Sequence, residues 1–195
     1  MMRITTGIYK GRNLIMPFGI RPTQNITRKA IFDIIGDIAG LTFLELYAGS
    51  GAVGLEAASR GAKGVVFVEK NGACVKAVND NIKLLQGEKA SGPWFKDYLV
   101  IQADANEAIK QLSRQKKAFD IIFFDPPYSK GDDGDSPAKK TLQTLCTYDI
   151  LPPSGLIIAQ YPKKESLPEH LGALTLLKLS AYGDTKLSFY QKKAA

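Results

Sequence analysis

A single histidine, His170, and two cysteines, Cys74 and Cys146, are the only imidazole and thiol groups in 195 residues. No Cys/His metal cluster and no histidine relay can be assembled from so few, so neither a metal nor a catalytic triad is expected. Isolated thiols on helical patterns, such as these, serve as small core residues. Long apolar runs are also missing. Nothing approaches the length of a membrane span, and no charged-then-apolar leader precedes a cleavage site, so the expectation is a cytoplasmic protein with no membrane partner. Acids are absent from one region. Between Met1 and Phe32 the charged residues are Arg3, Lys10, Arg12, Arg21, Arg28 and Lys29, and the first acid is Asp33. In a chain with 26 basic and 19 acidic residues, net +7, an acid-free arm is an electrostatic footprint for a phosphate backbone. Arg3, Lys10, Arg12, Arg21 and Arg28 are its candidate contacts.

The hydrophobic fraction of 45% and charged fraction of 23% are those of a globular protein, and the length suits one α/β domain with a small appendage. The appendage is residues 1–20, whose segment 2–15 is β-branched, interrupted by Gly7 and Gly11, and reads as a short hairpin that must pack on something else. The domain is 21–195. It opens with a helix capped by Thr23 or Asn25 and running to about Asp37, with Ile26, Ala30, Ile34 and Ile38 on one stripe facing the sheet. Strands over 41–46, 64–68 and 98–102 then alternate with helices, a fourth strand ends at Asp125 and a fifth spans 155–160. A hairpin around Gly183-Asp184 closes the chain. Gly87–Lys96 and Ser129–Pro137 read as exposed loops.

Two stretches follow buried strands directly. In an open α/β sheet, loops at the carboxyl ends of strands form the ligand crevice. The first stretch is Glu45-Leu46-Tyr47-Ala48-Gly49-Ser50-Gly51, where Gly49, Gly51 and Gly54 make a G-x-G-x-x-G spacing and Glu69 ends the next strand. That pattern also fits a dinucleotide. Glu45, however, would repel a pyrophosphate and suits the ammonium of a methionine moiety. The second stretch is Asp125-Pro126-Pro127-Tyr128. Two prolines stiffen acceptors that can hold a planar amine, and an aromatic face can stack an extruded base. This tetrapeptide resembles the signature of S-adenosylmethionine-dependent methyltransferases acting on amino nitrogens, of guanine N2, adenine N6 or a protein glutamine alike. A nicotinamide-dependent reductase is the reading from a different class.

A resemblance to one family runs over nearly the whole chain. It is carried by Met2-Arg3-Ile4-x-x-Gly7, Lys10-Gly11-Arg12-x-Leu14, Arg21-Pro22-Thr23, Arg28-x-Ala30-Ile31-Phe32, Tyr47 to Ala57, Ser59-Arg60-Gly61-Ala62, Asp125 to Tyr128, and Tyr182-Gly183-Asp184-Thr185. Together these are similar to the bacterial 16S rRNA (guanine-N2)-methyltransferases, the RsmD-like family. The resemblance implies a Rossmann-like class I methyltransferase fold, a seven-stranded, mostly parallel sheet carrying an N-terminal β-hairpin extension. It implies S-adenosyl-L-methionine as cofactor and 16S rRNA within a 30S particle as partner of a monomer. By the same resemblance Glu45, Tyr47, Ala48, Gly49, Ser50 and Gly51 line the methionine end, and Glu69, with Lys70 beside it, takes the ribose hydroxyls. Asp104 and Ala105 meet the adenine. Asp125, Pro126, Pro127 and Tyr128 hold the guanine, with Asp125 also facing the cofactor, and the basic arm meets RNA.

Overall fold

In a computed structural model, residues 2–19, 25–87, 98–128 and 135–193 are described. Arg21, the alternative cap Thr23, most of the expected loop after Gly87, and residues 129–134 of the loop after Tyr128 lie outside them. The chain divides into two compact units, Met1–Asp104 and Ala105–Ala195.

The first unit begins with the expected hairpin, β1 (Met2–Arg3) and β2 (Asn13–Leu14), antiparallel with Met2 opposite Leu14. A helix, α1 (Asn25–Ile35), follows, but its buried side is not the expected stripe. Thr27, Arg28, Ile31 and Phe32 are buried, whereas Ile26 is 66% exposed. The true face lies one position round the helix, and a buried arginine at its centre hides it from an apolar count. Next come β3 (Thr42–Leu46), α2 (Ala52–Ser59), β4 (Gly64–Glu69), α3 (Gly72–Gln86) and β5 (Tyr98–Gln102). The strand β4 pairs in parallel with β3 on one side and β5 on the other. Every residue of α2 is buried, so this short helix is core rather than amphipathic cover. The longer α3 starts where the Asn71 side chain accepts hydrogen bonds from the Ala73 and Cys74 amides, satisfying two of the free donors of a helix start.

The second unit runs α4 (Ala105–Arg114), β6 (Ile121–Phe124), α5 (Pro137–Thr147), β7 (Leu156–Pro162), β8 (His170–Leu171), β9 (Leu174–Tyr182) and β10 (Thr185–Lys192). All four residues of β6 are buried, as a continuous apolar run demands. β6 pairs in parallel with β7, while β10 runs antiparallel to β7 and to β9. The expected terminal hairpin is therefore β9–β10, turning at Gly183. Apart from the N-terminal hairpin, the described strands number three in the first unit and five in the second. That exceeds the expected seven by one, the addition being the two-residue β8.

Candidate functional site

In the first unit the glycine loop leaves a strand that is buried from Phe43 to Leu46. The next residue, Tyr47, is held at φ +58°, a left-handed conformation costing a non-glycine residue about 1 to 3 kcal/mol and typical of ligand loops. The loop is then tied down by its backbone. The Ala48 amide donates to the Val68 carbonyl at 3.0 Å and the Gly51 amide to the Ala48 carbonyl at 2.7 Å. Glu45 is only 3% exposed, and its carboxylate accepts from the Gly54 amide at 2.8 Å and the Val53 amide at 3.3 Å. It thus holds the start of α2, where helix amides and the helix dipole favour an anion. Gly54 is required by closeness: a Cβ there would stand 2.5 Å from the Phe67 ring and 2.7 Å from a Glu45 oxygen. Ala48 and Ser50 are buried, at 6% and 4% exposure, so the loop's backbone rather than these side chains is what a ligand could meet.

Glu69 ends β4 and joins two loops. One carboxylate oxygen accepts from the Gly49 amide and the other from the Asn71 amide, each at 2.8 Å. Each oxygen has lone-pair capacity for a further donor, so this carboxylate is positioned by the fold and can still receive two hydroxyls. Lys70, next to it, is exposed, and Asp104 stands half-buried directly before α4, whose first residue is the buried Ala105. Asn81 carries no signal in the sequence. It is fully buried on α3; its amide nitrogen donates to the Ser50 carbonyl at 3.0 Å and to the Ile15 carbonyl at 3.0 Å, and its oxygen accepts from the Ile15 amide at 2.7 Å. A single side chain therefore ties the N-terminal arm to the glycine loop. Cys74 is 1% exposed, and burial, with Glu69 adding to it, raises its thiol pKa. It is an inert core residue.

In the second unit Asp125-Pro126-Pro127-Tyr128 leaves the end of β6. Asp125 is half-buried, Pro126 buried and Pro127 exposed. Tyr128 is 43% exposed, and its hydroxyl shares a hydrogen bond with the Thr185 hydroxyl at 3.1 Å. Thr185 begins β10 and closes the Tyr182-Gly183-Asp184-Thr185 stretch, so the fold brings two separate pieces of the resemblance into contact. An aromatic ring that is both exposed and pinned at its far end offers a ready stacking face. No group of histidine, cysteine, aspartate and glutamate side chains among the described residues could hold a metal.

The basic arm divides into surface and interior. Arg3, Lys10 and Arg12 are exposed. Arg28 is 0% exposed and is a correction to the set of expected RNA contacts. Its guanidinium lies 3.5 Å from Glu56, itself 0% exposed, and donates to the Arg3 carbonyl and to Asn25. Glu56 also accepts from the Thr5 amide at 2.8 Å, the Thr5 hydroxyl at 2.6 Å, the Thr6 amide at 3.0 Å and Arg60 at 3.1 Å. A buried carboxylate is tolerable only when its lone pairs are filled in this way. Gly7 completes the docking: a Cβ there would fall 1.7 Å from the Ser59 carbonyl oxygen. The arm is thus clamped onto α2, and Arg28 is part of the clamp.

A family model described as Conserved hypothetical protein 95 matches residues 2–191. A Bacillus subtilis protein provisionally named as an rRNA methyltransferase is 32% identical over 98% of this chain and 100% of its own length. The ribosomal RNA small subunit methyltransferase D of Haemophilus influenzae is 30% identical over 97% of this chain and 93% of its own. A solved Escherichia coli structure, assigned as a methyltransferase, is 26% identical with a TM-score of 0.80, covering 100% of this chain and 99% of that one. The fold is therefore the Rossmann-like methyltransferase fold. No helix among the described residues is long and apolar enough to cross a membrane. A match that runs from the clamped arm through the glycine loop and the Asp-Pro-Pro-Tyr stretch to the last strand makes this chain a member of the family described as Conserved hypothetical protein 95.

Proposed function

We propose that this protein transfers a methyl group from S-adenosylmethionine to the exocyclic N2 of a guanine in 16S rRNA, acting on the small ribosomal subunit. The observation that carries the reading is Asp125-Pro126-Pro127-Tyr128 at the end of a fully buried strand, with Tyr128 exposed and braced by Thr185. The names of the relatives support the substrate. The cofactor's groups fit the residues present. Glu69 keeps acceptor capacity for the ribose hydroxyls, the half-buried Asp104 before α4 would take the adenine amine, and the strained Tyr47 and the backbone of Gly49 to Gly51 would line the methionine end. Glu45 acts on that end indirectly by fixing Val53 and Gly54.

When bound, S-adenosylmethionine supplies an electrophilic sulfonium methyl. Asp125 and the Pro126 carbonyl accept the two hydrogens of the guanine amine, which draws its lone pair out of the ring and aims it. Tyr128 stacks on the extruded base and offsets part of the unstacking cost, a few kcal/mol. Asp125 then receives the proton that the methylated amine releases and passes it to solvent. The neutral amine attacks, so no stronger base is needed.

The test is methyl transfer from labelled cofactor to 16S rRNA, free and within 30S particles, with the modified base mapped. Label on guanine N2 is expected; label on DNA adenine or on protein alone would overturn the substrate. In the same assay Asp125→Ala should abolish turnover while calorimetry finds S-adenosylhomocysteine affinity largely intact. A large affinity loss would relocate Asp125 to the cofactor.

A further inference from the structure

Gln160 lies on β7, is 5% exposed, and its side-chain oxygen is buried with no hydrogen-bond partner. An unpartnered buried carbonyl is a standing cost that folded proteins seldom carry without a use. Its position suggests the use. β6 and β7 pair in parallel up to Phe124 opposite Ala159, and Asp125 and Gln160 are the residues that follow that last pair on the two neighbouring chains. On its other side Gln160 faces Leu187 of β10, and Thr185, two residues along β10, faces Pro162. Side chains two apart share a face of a sheet. Gln160 and Thr185 therefore share one face, and Thr185 is the residue that braces the Tyr128 hydroxyl.

The geometry points to Gln160 as a base-reading residue that accepts a hydrogen bond from N1–H of the target guanine. This rests on the proposed guanine reading. Guanine carries an N1–H donor immediately beside its N2 amine, whereas adenine carries an N1 lone pair beside N6. An acceptor one strand away from the amine-holding Asp125 is placed to tell the two apart. The free energy of an unsatisfied carbonyl is then recovered only when the correct base arrives, which favours the transition state over the free enzyme. Buried polar groups built to pair with a substrate discriminate strongly against an analogue that lacks the partner.

The experiment uses reconstituted 30S particles whose 16S rRNA carries either guanine or 2-aminopurine at the methylated position. 2-Aminopurine keeps the amine at C2 but presents a lone pair at N1. Wild-type enzyme should methylate guanine about ten- to a hundredfold faster than 2-aminopurine, the penalty of one buried group left unpaired. Gln160→Leu should lose most of its rate on guanine and bring the ratio close to one, while S-adenosylhomocysteine affinity and melting temperature hold or rise. Gln160→Glu keeps an acceptor and should keep the preference, which guards against a leucine variant that folds poorly. An active wild type whose guanine preference survives in Gln160→Leu would overturn the role of Gln160 alone. A wild type that methylates neither base at N2 would overturn the guanine reading and this role together.

Discussion

Arg28 carries a full charge into a position with no exposure at all, and the structure shows what makes that tolerable. Burial pushes its pKa down, and the nearby Glu56 and Glu45 oppose that shift. The pair is worth less than its Coulomb energy suggests because both ions are desolvated, yet removing one partner strands the other. Arg28→Ala should therefore cost roughly 3 to 5 kcal/mol of folding free energy, read from urea unfolding. If stability instead stayed near wild type while RNA affinity fell, Arg28 would return to the RNA-contacting set. Glu69 sits at the opposite extreme, half-exposed and serving two loops at once. Glu69→Ala removes acceptors for Gly49 and Asn71 as well as for a ribose. Affinity for S-adenosylhomocysteine should weaken by about 1.5 to 3 kcal/mol for each lost hydrogen bond to the carboxylate. Unchanged affinity by calorimetry would detach Glu69 from the cofactor.

At the scale of elements, the N-terminal hairpin joins a docking side to a basic side. Thr5, Thr6, Gly7 and Tyr9 hold it to α2 through Glu56 and Ser59, while Lys10 and Arg12 stand exposed in the connection between its strands. The two functions can be separated. Neutralising Lys10 and Arg12 together should flatten the salt dependence of RNA binding by a slope of about one to two, at roughly 0.7 to 0.9 per phosphate contact. The melting temperature should not move, because neither side chain is buried. An unchanged slope would remove the case for the arm as an RNA-binding element and leave it as packing for α2. The helix α1 buries a different face from its apolar stripe. Its apolar stripe through Ile26 and Ile34 was legible, but the buried face contains Thr27 and Arg28, because Glu56 makes a cation welcome there.

At the scale of the whole molecule, a ligand that binds only the folded state stabilises it in proportion to the logarithm of its concentration. S-adenosylhomocysteine at about a hundredfold over its dissociation constant should add about 2.7 kcal/mol, a rise in melting temperature of several degrees. NADH at the same concentration should give none. A shift with NADH alone would revive the nicotinamide reading of the glycine spacing. The sequence by itself determined the α/β alternation, the two polar loops at strand ends and the arm's lack of acids, because period, glycine spacing and charge order are local properties. It also placed Glu69 at the end of β4, since a strand boundary fixes its last residue. Only the tertiary structure decided which basic residues face water, and it alone joined Tyr128 to Thr185, Asn81 to both arm and loop, and the strand carrying Gln160 to the strand that ends before Asp125. Those relations depend on strand register and on which buried charge finds a partner. Both are set by contacts between residues far apart in the chain, which no local pattern records.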